Sequence, residues 1–199
     1  TGMADSGEIQ EAIDAARAGG CKELAILHCV SGYPAPAEDY NLKTSTDMQQ
    51  QFDLVTGLSD HTLDNLTAIA SVALGASMIE KHVTLNRQGS GPDDSFSLEL
   101  SELRALCKDV EAVSKIRGNI DYGRKSSEQA NIKFRRSLYF VKDVKSGDTI
   151  QPSDVRSIRP GYGAQPKYLS LVVGSIATKN FARGTPVPLE RLINDVTKN

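Results

Sequence analysis

The chain has 199 residues, enough for one large domain or two small ones. Its 23 basic and 25 acidic residues nearly cancel, which argues against a nucleic-acid partner and against a polybasic contact with a membrane. No apolar run reaches spanning length, and we expect neither a transmembrane helix nor a signal peptide. Cys21, Cys29 and Cys107 lack CxxC spacing, so we expect buried free thiols in a cytoplasmic protein.

Residues 1–52 alternate between helical and strand-like patterns. We expect Ser6 to cap a first helix, because serine accepts hydrogen bonds from the free amides at helix N-termini. The apolar run 24–30 predicts a buried strand, with His28 as a core histidine inside it. A stiff, proline-containing loop follows, and a short helix is predicted over 46–52.

Residues 54–83 predict a strand–helix–strand unit. Apolar residues form a short run over 54–58, recur at helical spacing over 63–74, where Gly75 provides a stop, and form a second strand over 77–83. Two strands joined by a helix within so short a segment are expected to be parallel.

His61 and His82 stand at the C-terminal ends of these two predicted strands. Because neighbouring parallel strands end at the same rim of a sheet, both imidazoles are expected where α/β folds bind their ligands. Two imidazoles at one rim can share a metal ion. They make an incomplete metal site by themselves, however, and a hydrogen-bonded rim histidine is the alternative interpretation.

A polar loop over 84–94 leads into a helix that we expect Ser101 to cap and Gly118 to end. Helices and strands therefore alternate through residues 1–118, as they do in the C-terminal part of a TIM (β/α)8 barrel. Three strands cannot close a barrel. We therefore expect the chain to be a fragment that lacks the first strands of the barrel.

The composition changes after residue 118. Residues 119–133 are polar and predict a linker, and residues 134–199 predict a small β-rich domain of short strands and turns. Within this domain, the segment 142–150 recurs 37 residues later as 179–187, with a charged entry, an apolar residue, a glycine turn and an apolar strand in matching places. The repeat predicts a pseudo-symmetric domain of about 65 residues.

Several short motifs follow one another along the whole chain. They are His28-Cys29, Tyr33-Pro34, Gly57-Leu58-Ser59-Asp60-His61-Thr62, Ala73-Leu74-Gly75-Ala76, Ile79-Glu80-Lys81-His82, Gly91-Pro92-Asp93 and Arg159-Pro160-Gly161. Together they resemble the sialic acid synthase family, enzymes that condense phosphoenolpyruvate with an amino-sugar aldehyde. The small C-terminal domain resembles the SAF (antifreeze-like, β-clip) domain of that family.

Within the family, the segment 94–99 and Tyr162 are similar to the pseudaminic acid synthase branch. This resemblance implies a metal-dependent condensation of phosphoenolpyruvate with a 2,4-diacetamido-2,4,6-trideoxy hexose, which gives a nonulosonic acid and releases phosphate. The N-acetylneuraminate and legionaminic acid synthases are the alternatives inside the family.

The resemblance also implies the chemical roles of the rim residues. His61 and His82 would be the catalytic ligands of a divalent metal ion, usually Mn²⁺, that acts as a Lewis acid on the sugar aldehyde. Ser59 would bind phosphoenolpyruvate. Without the resemblance, Ser59 fits an ordinary turn serine equally well.

Four further residues receive substrate-binding roles from the resemblance. Ser31 and Tyr33 would face the substrate from the loop after the His28 strand, although several family members have asparagine where Ser31 stands. Asp93 would bind sugar hydroxyls, or serve only as a turn residue after Pro92. Arg159 would reach the active site of the partner subunit in a domain-swapped homodimer.

The chain also departs from the family pattern. The first five strands, which carry the lysines that hold phosphoenolpyruvate, have no counterpart, so we expect the chain alone to be inactive. A different phosphoenolpyruvate-using barrel, such as a deoxy-sugar-acid phosphate synthase, is disfavoured by Ser59-Asp60-His61 and by the SAF-like domain. The non-enzyme alternatives are a carbohydrate-binding module and an ice-binding protein. Ice binding requires a flat, rather apolar face, and the basic residues of this domain, such as Arg135 and Arg183, suit it poorly.

Overall fold

The computed structural model describes residues 1–188, which form two compact units that divide between Ile120 and Asp121. The first unit alternates α-helices with β-strands, and short 3-10 helices interrupt two of its loops. Its elements are α1 (Ser6–Ala18), β1 (Ala25–Cys29), the 3-10 helix Ala37–Tyr40, α2 (Lys43–Phe52), β2 (Val55–Asp60), α3 (Leu66–Leu74), β3 (Ile79–Lys81), the 3-10 helix Asp94–Phe96 and α4 (Leu100–Arg117).

The three strands of the first unit form one parallel sheet in the order β1-β2-β3. The β1–β2 ladder ends at the pair Cys29 and Ser59, and the β2–β3 ladder ends at Asp60 and Lys81. The prediction of adjacent parallel strands is therefore confirmed. It follows that the segments after β2 and β3 leave the sheet side by side.

One face of this sheet is covered by helices and carries the core. Side chains alternate between the two faces of a strand, and Leu58 of β2 packs in the same cluster as Ala68 of α3 and Leu106 of α4. Gly57 lies on the opposite face, where an added Cβ would stand 2.6 Å from the backbone carbonyl oxygen of Met78 and 2.5 Å from Cδ2 of Leu27. Only glycine allows this approach.

The caps of the first and fourth helices differ from the predictions. Asp5, and not Ser6, caps α1: its carboxylate accepts from the amides of Gly7 and Glu8 at 2.8 and 3.0 Å, and the Glu8 carboxylate accepts from the amide of Asp5. A carboxylate is favoured here because it also interacts with the positive end of the helix dipole. Ser6 is instead the first helical residue.

The fourth helix begins in a similar way. Glu99 stands at the N-cap, and its amide donates to the Glu102 carboxylate at 2.9 Å. Ser101, the predicted cap, lies inside α4. The predicted helix stops are correct, since Gly75 follows α3 with φ +117° and Gly118 follows α4.

None of the three cysteines is fully buried, so that part of the prediction is wrong. All three are free thiols, as expected, but Cys107 is exposed on α4 while Cys21 and Cys29 are half-buried. Cys29 projects from β1 toward the face of the sheet that the helices do not cover, because it alternates with His28 on the helix-covered face. No helix within residues 1–188 is long and apolar enough to span a membrane.

The second unit is built from short strands, bridges and turns. A 3-10 helix, Ser126–Phe134, occupies most of the predicted linker. The regular elements that follow are β4 (Ser137–Phe140), β5 (Val155–Ile158), the 3-10 helix Pro166–Tyr168 and α5 (Leu169–Val172). β4 and β5 are antiparallel, and the pairs Thr149–Ile176 and Tyr139–Pro186 form isolated antiparallel bridges.

The sequence repeat corresponds to a structural one, and the two copies pair with each other. Val144 and Phe181 occupy equivalent positions and exchange both backbone hydrogen bonds, at 2.9 and 2.8 Å. Around them, the Asn180 side chain accepts from the amide of Ser146, and the equivalent Asp143 accepts from the amide of Arg183, both at 2.8 Å. The predicted pseudo-symmetry is therefore confirmed as an approximate two-fold arrangement.

Candidate functional site

The imidazoles of His61 and His82 meet at the rim of the parallel sheet. They follow the last residues of β2 and β3, and their ring centroids lie 5.4 Å apart. The sequence predicted this meeting from the chain order of the strands alone. The distance allows both rings to face one small ligand.

His61 is held from three directions. Its ring Nδ1 lies 2.8 Å from the carbonyl oxygen of Val30, its backbone amide donates to the hydroxyl of Tyr40 at 2.7 Å, and its carbonyl accepts from the amide of Ala35 at 3.0 Å. A carbonyl oxygen only accepts, so Nδ1 of a neutral His61 carries the proton and Nε2 keeps a free lone pair. The residue is buried.

His82 is more open and stands against a carboxylate. Its Nδ1 lies 3.5 Å from Oδ2 of Asp93, whose side chain is 55% exposed. Sequence reasoning assigned Asp93 to the substrate and did not predict this contact. The carboxylate attracts the Nδ1 side of the ring, which directs Nε2 elsewhere.

Two aromatic rings complete the cluster. Tyr33 lies 4.2 Å from His61 and 5.9 Å from His82, and Phe96 lies 5.3 Å from His82 and 5.6 Å from Tyr33, measured between centroids. Tyr33 was predicted as a site residue, whereas Phe96 was missed. Its position in the rim loop after β3, three residues beyond Asp93, was the signal that could have identified it.

Ser59 forms a second polar contact on the same side of the sheet. Its hydroxyl donates to Oε1 of Glu80 at 2.8 Å, and the two residues are direct neighbours in the β2–β3 register. Glu80 was also missed. The spacing contained the signal, because Ser59 precedes His61 by two residues as Glu80 precedes His82, and residues two apart in a strand share a face.

The opposite face of the rim holds a buried ion pair. The Lys81 ammonium donates to Oδ2 of Asp60 at 2.8 Å and to the carbonyl of Thr62 at 2.7 Å, and the other Asp60 oxygen accepts from the amide of Thr62. Both charged side chains are almost fully buried. Removing one partner of such a buried pair strongly destabilises a protein. The intact pair therefore fixes the strand ends that precede the histidines.

Tyr40 lies under the rim and contributes a hydroxyl to it. The phenol is fully buried, and burial raises the pKa of Tyr40 to about 12. Its hydroxyl remains protonated at neutral pH and donates to the carbonyl of Ser59 at 3.1 Å. His28, predicted as a core histidine, is buried beside it, with Nε2 2.5 Å from the Tyr40 carbonyl oxygen.

Ser31 and Arg159 are the two remaining predicted site residues. Ser31 is exposed in the loop after β1, and its hydroxyl lies over Gly2. Arg159 is exposed in the second unit, where it follows β5.

The loop that begins at Arg159 is firmly held within the second unit. The Ser137 hydroxyl donates to the carbonyl of Pro160 at 2.7 Å and accepts from the amide of Gly163 at 2.9 Å. The amide of Gly161 donates to the carbonyl of Lys133 at 2.9 Å.

The residues at the rim fit a metal ion only as a partial ligand set. Both imidazoles have Nδ1 directed at an oxygen, which is the arrangement that orients the other nitrogen of a metal-binding histidine. Residues 1–188 contain no group of three histidine, cysteine, aspartate or glutamate side chains suited to one metal ion. His61 and His82 would therefore leave most coordination positions to water or substrate oxygens, and oxygen ligands of this kind suit Mn²⁺.

Comparison with known proteins supplies the family context. A NeuB family model matches residues 1–122, and a SAF domain model matches residues 135–193. The chain is 40% identical over 184 residues to an N,N'-diacetyllegionaminic acid synthase from Campylobacter jejuni, with 91% of this chain and 55% of the relative covered. It is 32% identical to a pseudaminic acid synthase from Helicobacter pylori, with 94% and 55% covered.

A solved structure supports the same relationship. The N-acetylneuraminic acid synthetase of Leptospira borgpetersenii serovar Hardjo-bovis superposes with a TM-score of 0.61 at 34% identity, over 66% of this chain and 46% of the other. The chain spans about half the length of the curated relatives it matches.

Proposed function

Because this chain belongs to the NeuB family of sialic acid synthases, we propose that the full-length protein is a nonulosonic acid synthase. It condenses phosphoenolpyruvate with an amino-sugar aldehyde: carbon 3 of phosphoenolpyruvate bonds to the aldehyde carbon, water adds at carbon 2, and phosphate leaves with its carbon–oxygen bond broken. The observation that carries this proposal is the His61–His82 pair, 5.4 Å apart beside Ser59 on one side of the sheet.

The two histidines would hold a divalent metal ion, which we propose to be Mn²⁺. When bound, such an ion supplies Lewis-acid polarisation of the sugar aldehyde. The chain's own contribution is orientation. The Val30 carbonyl fixes the His61 ring through Nδ1, and Asp93 stands at Nδ1 of His82, so both Nε2 atoms are left for the ligand.

The neighbouring side chains would bind the two substrates. Ser59 would donate its hydroxyl to phosphoenolpyruvate, which requires that it turn away from Glu80, its present acceptor. Tyr33, which is 54% exposed, would cover one side of the sugar, and Ser31 would face it from the same loop. Asp93, whose carboxylate is half exposed, would accept hydrogen bonds from sugar hydroxyls.

We propose that residues 1–118 are the C-terminal portion of a TIM barrel, followed by a linker over 119–133 and a SAF domain from residue 134. The parallel sheet with helices on one face only supports this interpretation, because a barrel strand has helices outside and side-chain layers inside.

Arg159 would act in a domain-swapped homodimer, where it would contact the sugar's acylamino group in the partner subunit's site. Arg159 is exposed, and the loop that it begins is fixed by the hydrogen bond from the Ser137 hydroxyl to the Pro160 carbonyl. Both observations support this role. A guanidinium offers a planar fork of donors that suits an acylamino oxygen.

The sugar is the least constrained part of the proposal. The resemblance of residues 94–99 and Tyr162 favours the 6-deoxy diacetamido sugar that leads to pseudaminic acid. The 40% identity to a diacetyllegionaminic acid synthase favours its legionaminic counterpart as the second candidate.

Phosphate release by the full-length protein tests the proposal. We expect metal-dependent release from phosphoenolpyruvate with a diacetamido-trideoxy hexose, and a lower kcat/KM with N-acetylmannosamine. Preference for N-acetylmannosamine would correct the substrate and leave the reaction intact. No release with any amino-sugar aldehyde would disprove the proposed function.

A further inference from the structure

The hydroxyl of Tyr40 joins Ser59 of β2 and His61, which directly follows β2, the two residues of this segment to which we have given chemical roles. It donates to the carbonyl of Ser59 at 3.1 Å and accepts from the amide of His61 at 2.7 Å. In these two hydrogen bonds it acts as a donor and as an acceptor together. A single buried oxygen therefore holds the backbone on both sides of Asp60.

This hydroxyl stands where the strand ladder stops. The last β1–β2 pair is Cys29 and Ser59, and beyond it β1 leaves the sheet for the loop. The carbonyl of Ser59 and the amide of His61 point to the same side of β2, because residues two apart in a strand direct their backbone groups alike. Tyr40 takes the place of the missing strand partner.

Tyr40 is itself well fixed. Its ring is fully buried in the cluster that includes Leu58 and Leu98, and its carbonyl oxygen lies 2.5 Å from Nε2 of His28. The His28 and Tyr40 rings meet edge to face at 6.0 Å. Because the phenol is fixed in this way, the backbone groups to which it is hydrogen-bonded are fixed as well.

We propose that Tyr40 is a positioning residue that sets the geometry of Ser59 and His61 through their backbone. The inference rests on the proposed function for the roles of those two residues. It assigns Tyr40 no contact with substrate or metal. Its effect should therefore appear in metal affinity and in the KM for phosphoenolpyruvate more than in kcat measured at saturating metal and substrate.

The test compares Tyr40→Phe with Tyr139→Phe in the full-length protein. Both substitutions remove one buried phenolic oxygen, but the Tyr139 hydroxyl has no hydrogen-bond partner in the part of the chain that the structure describes. Mn²⁺ binding is measured with the metal alone by titration calorimetry, and the KM for phosphoenolpyruvate by phosphate release.

We expect Tyr40→Phe to weaken Mn²⁺ binding and raise the KM for phosphoenolpyruvate by roughly tenfold each, as the loss of one or two hydrogen bonds predicts. Tyr139→Phe should change neither value by more than about twofold, because no hydrogen bond is lost. If Tyr40→Phe lowers the melting temperature but leaves both values at wild type, Tyr40 is only structural and the inference is wrong.

A second variant covers the case in which Tyr40→Phe does not fold. His28→Gln leaves the hydroxyl in place and removes the ring that contacts Tyr40, so we expect weaker Mn²⁺ binding by a smaller factor, and wild-type binding would overturn the inference. If the wild-type protein neither binds Mn²⁺ nor releases phosphate, the proposed function fails instead, which separates the two outcomes.

Discussion

The first unit, which we call the α/β unit, and the second unit, the β unit, hold their backbones in place by different means. In the β unit the repeated segments satisfy each other's backbone hydrogen-bonding groups, as the paired backbones of Val144 and Phe181 show. In the α/β unit the backbone at the rim is bound by side chains, including the hydroxyl of Tyr40 and the ammonium of Lys81.

The difference follows from the topology of the two units. A pseudo-two-fold arrangement pairs each segment with its own counterpart, so the two copies satisfy each other through their backbones and through the side chains of Asp143 and Asn180. A parallel ladder stops at a rim, where backbone groups need other partners and polar side chains gather to supply them. The candidate site lies where the β1–β2 and β2–β3 ladders end.

The largest effect is expected from the histidine pair. His61→Ala or His82→Ala in the full-length protein should abolish metal-dependent turnover, and the double variant should lose little more, because ligands that act as a unit are not additive. Mn²⁺ titration of the three variants, at matched folding by circular dichroism, provides the measurement. Single variants that bind Mn²⁺ as tightly as wild type would rule out a shared site.

Arg159→Ala, in the second unit, is expected to have the next largest effect. The loss of charge-assisted hydrogen bonds should raise the sugar's KM by roughly 10- to 100-fold, with little change for phosphoenolpyruvate. Arg183→Ala, another exposed arginine of the β unit, is the matched control and should leave both KM values unchanged.

Subunit mixing distinguishes action within a chain from action across a dimer. Combining Arg159→Ala with His61→Ala subunits should recover part of the activity, since one site of a swapped heterodimer keeps both residues. Heterodimers that demonstrably form without any recovery would show that the trans arrangement is wrong.

The sequence predicted those parts of the molecule that periodicity and chain order determine. The parallel strands, the meeting of His61 and His82 and the 37-residue repeat all follow from patterns that extend over many residues. That the two copies pair directly with each other did not follow, because a repeat fixes similarity and not contact.

Short-range features were predicted less well. Ser6 and Ser101 each lie within two residues of a carboxylate that begins the helix instead, and local propensity does not decide between such neighbours. Phe96 and Tyr40 end short 3-10 helices within loops, where no hydrophobic period indicates which way a side chain points.

Ser137→Ala should have a moderate and local effect. The substitution removes both hydrogen bonds that the hydroxyl makes with Pro160 and Gly163, so protection of the Gly163 amide against hydrogen exchange should fall by roughly tenfold or more. The KM for the sugar should rise as Arg159 loses its fixed position. Ser170→Ala, at an exposed position of α5, should change neither value. Unchanged Gly163 protection in Ser137→Ala would contradict the loop's dependence on this hydroxyl.

The smallest effect is expected at Asp94, in the loop beside the rim. Hydrogen bonds from the Thr84 hydroxyl and the Gly91 amide, at 2.6 and 2.8 Å, lower the pKa of Asp94. A carboxyl whose folded pKa is depressed contributes stability above its unfolded pKa of about 3.9 and loses it as pH falls through the lower folded value.

Protection of the Gly91 amide in the wild-type protein should therefore decrease as the pH falls below about 4. Asp94→Asn cannot titrate, so its Gly91 protection should be lower than wild type at pH 6 and should lack this decrease once intrinsic exchange rates are corrected. Asp109→Asn, an exposed aspartate of α4, controls for the change in net charge and should retain the wild-type profile. A wild-type profile in Asp94→Asn would show that the backbone alone holds this loop, as backbone pairing holds the repeat of the β unit.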